Sequence, residues 1–257
     1  MTNEFSSDWL ALREPYDAAA RSKRLAAAFL EALPARPCIL DLGAGRGANA
    51  RFLDGLGSGD ICWRLVDRDP ILLKEASQMR AQTDQQIVDF APDPALLDLS
   101  QADAVSASAL FDLVSVDWFE RFLRTVGGVP LLFALTADGE FRWRPSDSAD
   151  VMIMARFEAD MRRDKGFGPA MGADAPRLMA ALLSEEGYLI RPAQSSWRLG
   201  AGDSAILTIL VDLIADATRD LDGRPEVEGW RARRHHSIAM NDLSLEVGHI
   251  DLLALLD

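Results

Sequence analysis

Histidine is scarce in this sequence, with three residues among 257. His235 and His236 stand together in a basic stretch, where we expect the cationic end of a helix, because the helix dipole favours positive charge there. His249 follows the last predicted strand, and a structural hydrogen bond is its expected role. None of the three has the acidic or cysteine partners of a metal site, so the sequence predicts no bound metal.

Only two cysteines are present, Cys38 and Cys62, which is too few for a disulfide framework. Both stand in short apolar runs that are typical of buried strands, so we expect them to be small core residues. This usage fits the reducing conditions of the cytoplasm.

Positive charge is also in short supply, because 27 Lys and Arg oppose 40 Asp and Glu, for a net charge of −13. Nucleic-acid-binding proteins draw much of their affinity from cations that neutralise phosphates. The balance of charge therefore disfavours a DNA or RNA partner.

Long hydrophobic runs are missing as well. The longest, 205–211, ends at Asp212 and is far too short to cross a bilayer. Residues 1–8 are polar and lack the basic-then-apolar pattern of a secretory signal. We therefore expect a soluble cytoplasmic protein with no membrane partner.

What the sequence does contain is a regular succession of predicted strands and helices. The length, together with 49% hydrophobic residues, is enough for one large core, so we expect a single domain over 1–257. The pattern predicts an α/β, Rossmann-like, doubly wound sheet of seven mostly parallel strands with helices on both faces. The predicted strands are 37–42, 61–67, 86–90, 103–107, 129–136, 188–197 and 243–248, with a hairpin turn at 138–139 leading into 140–143. The predicted helices are a short one interrupted by Pro15, 17–33, 47–56, one from Pro70, 149–163, 174–186, 204–217 (capped by Asp203) and one from Pro225.

The strongest motif is Asp41-Leu-Gly43-Ala-Gly45-Arg-Gly47, which follows a strand and opens a helix. Side chains at Gly43 and Gly45 would keep a nucleoside ligand away from the backbone N–H groups of such a turn. A dinucleotide-binding turn has the spacing G-x-G-x-x-G, whereas this one has G-x-G-x-G. The alternative is a purely structural loop.

A second acid supports a ligand site. Asp67 ends the second predicted strand, 26 residues after Asp41. A carboxylate at this place can accept hydrogen bonds from both ribose hydroxyls. Asp69 is expected to cap the next helix, and the alternative for Asp67 is an ordinary loop acid.

Together these motifs resemble the signature of class I S-adenosylmethionine (SAM)-dependent methyltransferases. The resemblance implies SAM as cofactor and a Rossmann-like fold. It also implies that the stretch Ser106-Ala107-Ser108-Ala109 faces the sulfonium, and that Asp89 and Phe90 contact the adenine. The alternatives are a capped helix start for the serines and a plain strand-end acid for Asp89. The predicted cofactor-binding residues are Asp41, Gly43, Ala44, Gly45, Asp67, Arg68, Asp89, Phe90, Ser106, Ala107 and Arg21. Arg13, Tyr16 and Arg21 are expected to close over the cofactor, with an arginine meeting its carboxylate, and the alternative for them is a solvated helix face.

Other stretches are similar to a group of bacterial methyltransferases of uncertain substrate, so the resemblance spans nearly the whole chain. These stretches are 12–22, 108–113, 165–172 and 247–251. The sequence lacks the Asn/Asp-Pro-Pro-aromatic and Pro-Cys motifs of enzymes that methylate nucleobases. Together with the acidic charge, this favours a small-molecule acceptor.

The resemblance divides the chain into a helical lid (1–35), a cofactor-binding half (36–136) and a substrate-side half with added helices (137–257). The acceptor site is expected between the lid and the last of these. Its candidate residues are Tyr16, Trp143, Arg156, Lys165 and Phe167. A basic loop around Lys165 in an acidic protein suggests an anionic acceptor, although surface ion pairs explain the charge equally well.

The sequence therefore predicts a SAM-dependent methyltransferase that acts on a small, anionic metabolite at oxygen. No catalytic residue stands out. Asp112 has the right place for a base, but a solvent-facing helix acid is the preferred interpretation. The alternatives are an enzyme that uses SAM for another reaction and a SAM-binding regulatory or partner module. A nicotinamide oxidoreductase is disfavoured by the glycine spacing.

Overall fold

The computed structural model describes residues 6–57, 60–79, 83–218 and 224–256. These residues form one eight-stranded sheet in the order β3-β2-β1-β4-β5-β8-β6, with β7 also paired to β8. The strands are β1 Cys38–Leu42, β2 Cys62–Asp67, β3 Thr83–Ile87, β4 Ala104–Ser108, β5 Leu131–Arg144, β6 Leu189–Gln194, β7 Trp197–Leu199 and β8 Ser244–Leu255.

The helices cover both faces of the sheet. They are α1 Ser7–Ala20, α2 Lys23–Glu31, α3 Ala48–Asp54, α4 Pro70–Met79, α5 Val116–Thr125, α6 Asp150–Met161, α7 Ala175–Glu185, α8 Ser204–Ala217 and α9 Arg224–Ala239. Short 3-10 turns at Pro94–Leu96, Phe111–Leu113 and Gly172–Asp174 complete the regular structure of the described residues.

Strands β1 to β5 are parallel, and β8 runs antiparallel to β5, β6 and β7. Because the chain moves outward from β1 to β3 and then returns to place β4 on the other side of β1, the strand order reverses there. In open α/β sheets ligands bind beside such a reversal, at the carboxyl ends of the strands. The fold class predicted from the sequence is confirmed.

The apolar residues form packed layers that hold this edge of the sheet in place. One layer is aromatic, with Phe111 4.2 Å from Phe133 between ring centroids and Trp118 stacked on Phe122. A second lies under α2 and α3, and a third joins the last strands to α6, α8 and α9. No helix among the described residues has the length and apolar content needed to cross a membrane.

The sheet has eight strands rather than the seven predicted. The single strand expected over 188–197 is divided at Ser195, whose backbone N–H donates to the His249 carbonyl at 2.9 Å. Beyond this point the chain pairs again with β8 as β7.

The predicted hairpin at 138–139 is wrong. Strand β5 continues through Gly139, where φ is +79°, and its register with β8 shifts between Ala137 and Phe141. Gly139 therefore lies in a bulge-like irregularity of one long strand and not in a hairpin turn. The strand continues because β8 pairs with β5 on both sides of this irregularity.

Other predicted boundaries also move. Helix α1 passes through Pro15 and ends before Arg21, where Ser22 caps α2 and donates its own N–H to Asp251 at 2.8 Å. The third strand comes earlier than 86–90, as β3. Asp203 does not cap α8 with its side chain, because its carboxylate accepts from the N–H of Gly200 instead.

The two cysteines are not core residues. Cys62 is exposed and Cys38 is half-buried, because both occupy the amino-terminal ends of their strands. Their sulfur atoms lie 3.3 Å apart as free thiols.

Candidate functional site

A cavity of about 390 Å³ opens at the carboxyl ends of β1, β2 and β4, with α1 along its other side. Its walls include the glycine-rich turn, the residues that follow β2 and β3, and one face of α1. Of the predicted cofactor-binding residues, those that line it are Asp41, Gly43, Ala44, Gly45, Asp67, Arg68, Asp89, Phe90 and Arg21.

The glycine-rich turn brings bare backbone to the cavity. Gly43 and Gly45 have φ of +62° and +49°, the left-handed region that favours glycine. A side chain at Gly43 would meet Leu110 at 3.4 Å, and one at Gly45 would meet Leu10 at the same distance. These distances are ordinary van der Waals contacts, so the turn needs glycine for its conformation rather than to avoid a clash within the protein.

Asp67 ties the end of β2 to this turn. One carboxylate oxygen accepts from the N–H of Gly45 at 2.8 Å and the other from the N–H of Asp69 at 3.0 Å. Each oxygen keeps a second lone pair, so Asp67 can still accept from a ligand. Asp69 caps α4 as predicted, since its carboxylate accepts from the N–H groups of Ile71 and Leu72.

Asp41 is buried under the turn with one oxygen satisfied and one not. Asn49 and Ser106 both donate to Oδ1, the latter at 2.8 Å. Among the described residues no group bonds to Oδ2, although it is buried. Burial raises the pKa of Asp41 to about 6, against the lowering effect of these hydrogen bonds and of Arg21.

Asn49 was missed by the sequence analysis, and Ser106 has another role than predicted. Asn49 lines the cavity from the first turn of α3, and the available signal was an amide between two alanines in an otherwise apolar helix face. Ser106 and Ala107 are fully buried and do not belong to the cavity wall formed by the described residues. Ser106 instead fixes the orientation of Asp41, because its place in β4 is directly opposite that residue.

The wall at β4 is formed two residues later, by Ser108 and Ala109. Ala109 has φ of +53°, which is unfavourable for a residue with a side chain. Its N–H still donates to the Ala134 carbonyl at 2.9 Å, so neighbouring β5 holds the strained conformation in place.

Arg21 enters the cavity from the break between α1 and α2. It is 6% exposed, and its guanidinium carbon lies 4.0 Å from the ring centroid of Phe52. Its Nε is buried and has no hydrogen-bond partner within the described part of the chain. Burial lowers the pKa of Arg21, whereas Asp251, Asp41 and Asp17 raise it, so three carboxylates hold the charge in place.

Lys165 and Phe167 line the cavity at a different end from the one predicted. The ring centroid of Phe167 lies 5.9 Å from that of Phe90 and 5.5 Å from that of Trp118. Lys165 Nζ is 2.8 Å from Asp160 Oδ2. Both residues therefore stand beside the segment after β3, where the resemblance puts the adenine.

The other predicted acceptor residues lie away from the described cavity wall. Tyr16 donates its hydroxyl to Asp203 at 2.9 Å. Trp143 is 6% exposed and packs edge-on against Trp230 at 5.5 Å, because β5 carries it past the end of the cavity. Arg156 lies on α6, which packs against α8.

Asp112 is not the solvent-facing acid that we preferred. It lies in the turn after β4, between cavity-lining Leu110 and Leu113, and burial raises its pKa to about 6. This increase in the pKa is partly offset by hydrogen bonds from the backbone N–H groups of Asp112 itself and Ala137, and by the charge of Arg13. Within the described ranges, no group of three or more His, Cys, Asp or Glu side chains could hold a metal ion.

Comparison with solved structures gives the same architecture. The chain is similar to a candidate methyltransferase from Bacillus halodurans, with a TM-score of 0.52 and 14% identity over 91% of this chain and 97% of that one. It is also similar to a cyclopropane-fatty-acyl-phospholipid synthase-like protein from Lactobacillus casei, with a TM-score of 0.52 and 13% identity over 96% and 94%. No protein-family profile and no curated protein matches the sequence.

The strand order and the glycine-rich turn define a Rossmann-like α/β protein with a cavity at the reversal of strand order. Within that class, the chain has a methyltransferase-like fold, as the resemblance predicts. Identities of 13–14% carry the fold alone.

Proposed function

We propose that the protein is a SAM-dependent methyltransferase that acts on a small molecule at oxygen. The observation that carries this proposal is a complementary pair of buried atoms in the cavity. Asp41 Oδ2 and Arg21 Nε each have no partner among the described residues. A buried polar atom without a partner is costly, and the ammonium and carboxylate of the amino-acid part of SAM would satisfy both.

The rest of the cavity fits the other parts of the same ligand. The backbone at Gly43 and Gly45 admits a close ligand, and Asp67 beside it can accept from ribose hydroxyls. Phe90 and Phe167, whose rings contact each other, offer an apolar surface for a nucleobase, with Asp89 at its edge. The three features follow one another along the strand ends in the order amino acid, ribose and adenine.

The chain's contribution to methyl transfer is alignment and exclusion of water, because the sulfonium of SAM is already an activated methyl donor. Helix α1 covers the cavity and is held by an ion pair and a hydrogen bond. Arg51 Nη2 lies 2.6 Å from Glu14 Oε2, and Ser7 donates to Glu75 at 2.7 Å. These contacts would keep the lid over the bound donor.

The anionic acceptor suggested by the sequence is no longer supported. That hypothesis depended on Lys165, which is paired with Asp160 at the adenine end of the cavity. A small molecule remains the proposed acceptor because the net charge of −13 disfavours nucleic acid.

Calorimetric titration with S-adenosylhomocysteine, the product form of the donor, tests the proposed cofactor. We expect saturable binding of this compound and none of NAD. Absence of binding would end the proposal. Incubation with methyl-labelled SAM and a pool of small metabolites then separates the alternatives, because only a methyltransferase moves the label into product.

The affinity for S-adenosylhomocysteine should depend on the protonation of Asp41. Its pKa is raised to about 6, so the carboxylate is mainly protonated at about pH 5 and mainly ionised at about pH 7. Only the ionised form attracts the ligand ammonium, so affinity should increase about tenfold over this range. Calorimetry at several pH values measures the change.

The control ligand for this pH dependence is 5′-methylthioadenosine, which lacks the amino-acid part of S-adenosylhomocysteine. Its affinity should stay constant between the same pH values. In Asp41→Asn the dependence for S-adenosylhomocysteine should disappear. An unchanged pH profile in this variant would assign the titration to another group.

A further inference from the structure

Five polar side chains from α1, the turn after β4, β5, the link between β6 and β7, and β8 lie close to one another, and three of them (Thr136, Ser195 and His249) are buried. We call them the strand-end cluster: Arg13, Asp112, Thr136, Ser195 and His249. Arg13 lines the cavity, and its charge lowers the pKa of both Asp112 and His249. Ala137, whose N–H points to the Asp112 carboxylate, is the direct strand partner of His249. Arg13 therefore connects the cluster to the cavity, whereas the other four side chains are not part of the cavity wall formed by the described residues.

Three atoms of this cluster lack partners. In the described part of the chain, Thr136 Oγ1, Ser195 Oγ and His249 Nδ1 are buried and make no hydrogen bond. Burial and Arg13 lower the pKa of His249 to about 3, so its ring is neutral and can accept a hydrogen bond. Such a concentration of unsatisfied groups is typical of a place that receives water or a polar ligand.

Asp112 is the acid of this region whose charge is least compensated. Asp17 also lines the cavity, but Arg13 contacts both of its oxygens, at 2.9 and 3.2 Å, and Trp197 donates to one of them at 3.0 Å. Asp112 receives only backbone N–H groups and the more distant charge of Arg13. Its carboxylate is therefore the stronger proton acceptor of the two.

The backbone is also strained after β4 and within β5. Ala109 after β4 and Leu135 in β5 both have φ of +53°. The N–H of Leu135 donates to Asp251 at 2.9 Å, which holds this irregular point of β5 in place. Strain of this kind persists only where the surroundings hold it, and it is concentrated at functional sites.

We propose that the acceptor enters between α1 and the strand-end cluster, and that Asp112 takes a proton from its attacking atom. This inference rests on the proposed function and narrows the acceptor to an alcohol or phenol rather than a carboxylate. The oxygen lone pair forms the new bond to the methyl carbon, and the carbon–sulfur bond breaks with its electron pair going to sulfur. The proton of the hydroxyl moves to Asp112, so charge and atoms balance.

Sinefungin tests this placement without an acceptor, because it carries an amine at the position of the transferred methyl group. An ionised Asp112 that faces this position should bind the ammonium of sinefungin but should not affect S-adenosylhomocysteine. We expect Asp112→Asn to lower the affinity for sinefungin relative to S-adenosylhomocysteine about tenfold. Calorimetry of both ligands on both proteins gives the ratio.

The matched control is Asp117→Asn, an exposed acid in the first turn of α5, five residues further on. It should leave the ratio unchanged. In the wild-type protein the ratio should rise from about pH 5 to about pH 7 as Asp112 ionises. Titration of Asp41 affects both ligands alike and cancels. This profile also carries the test if Asp112→Asn does not fold.

An unchanged ratio in Asp112→Asn would overturn the inference, and an unchanged ratio with an equal loss of affinity for both ligands would indicate a structural role. With an unfolded variant, a flat wild-type ratio has the same meaning. Failure of the wild-type protein to bind S-adenosylhomocysteine is a different outcome, because it contradicts the proposed function itself.

Discussion

Replacement of Asp67 by alanine is expected to weaken S-adenosylhomocysteine binding about a hundredfold, since two hydrogen bonds to a charged acceptor together contribute about 3 kcal/mol. The side chain has two tasks in the cavity. It accepts from the N–H of Gly45, which holds the glycine-rich turn, and it is available to both hydroxyls of a ribose. Calorimetry gives the affinity, and thermal unfolding shows whether the variant is folded.

Asp84→Asn is the control for this experiment. Asp84 lies on neighbouring β3, with a side chain 63% exposed and outside the cavity wall, so affinity should stay within about twofold of the wild-type value. A folded Asp67→Ala protein with wild-type affinity would show that the ligand does not contact the end of β2. The proposed orientation of SAM would then be wrong.

Arg21→Met is expected to have the second large effect, in two separate measurements. The variant leaves Asp251, Asp41 and Asp17 without their shared cation, and an uncompensated buried charge typically costs about 3–5 kcal/mol of unfolding free energy. It also removes the group proposed to bind the ligand carboxylate. Denaturant unfolding measures the first effect and calorimetry the second.

A comparison of two ligands separates the loss of a specific contact in Arg21→Met from a general loss of structure. S-adenosylhomocysteine, which has the carboxylate, should lose about thirtyfold in affinity, whereas 5′-methylthioadenosine should lose little. Arg21→Lys keeps the charge and provides a more stable variant for the same comparison. Arg24→Met, an exposed arginine of α2, is the control. An equal loss for both ligands would assign Arg21 a structural role only.

The two predictions address different parts of one arrangement. Asp67 acts from the end of β2 and Arg21 from the break between helices, yet both face the turn at Gly43 and Gly45. Asp112 belongs to the other end of the cavity. Variants of Asp67, Arg21 and Asp112 should therefore differ in how they change the affinities for S-adenosylhomocysteine, 5′-methylthioadenosine and sinefungin. These differences would show which residue contacts the ribose, which the amino-acid part and which the acceptor.

Local patterns predicted much of the cofactor side of the cavity. Asp41, Gly43, Gly45 and Asp67 all line it, because a turn between a parallel strand and its helix has few solutions and leaves them at the same edge of the sheet. Ser106 was placed in the cavity wall wrongly, since the pattern gives a strand but not the residue at which the strand leaves the sheet.

The acceptor side could not be predicted in this way. Trp143 lies in β5, and Lys165 and Phe167 follow that strand, but Trp143 packs in the core and the other two line the cavity beside Phe90. Their places depend on how far β5 continues, and β8, about 100 residues away, decides this by pairing along its full length. Hydrophobic periodicity contains no information about such a partner.

The sequence by itself determined the α/β class, the glycine-rich turn and the acids around it, because each depends on residues close together in the chain. Only the tertiary structure decided which polar groups are buried without partners. Asp41, Arg21 and His249 become unsatisfied when distant segments exclude water from them. Desolvation is a property of the packed molecule, and it gives these side chains their proposed roles.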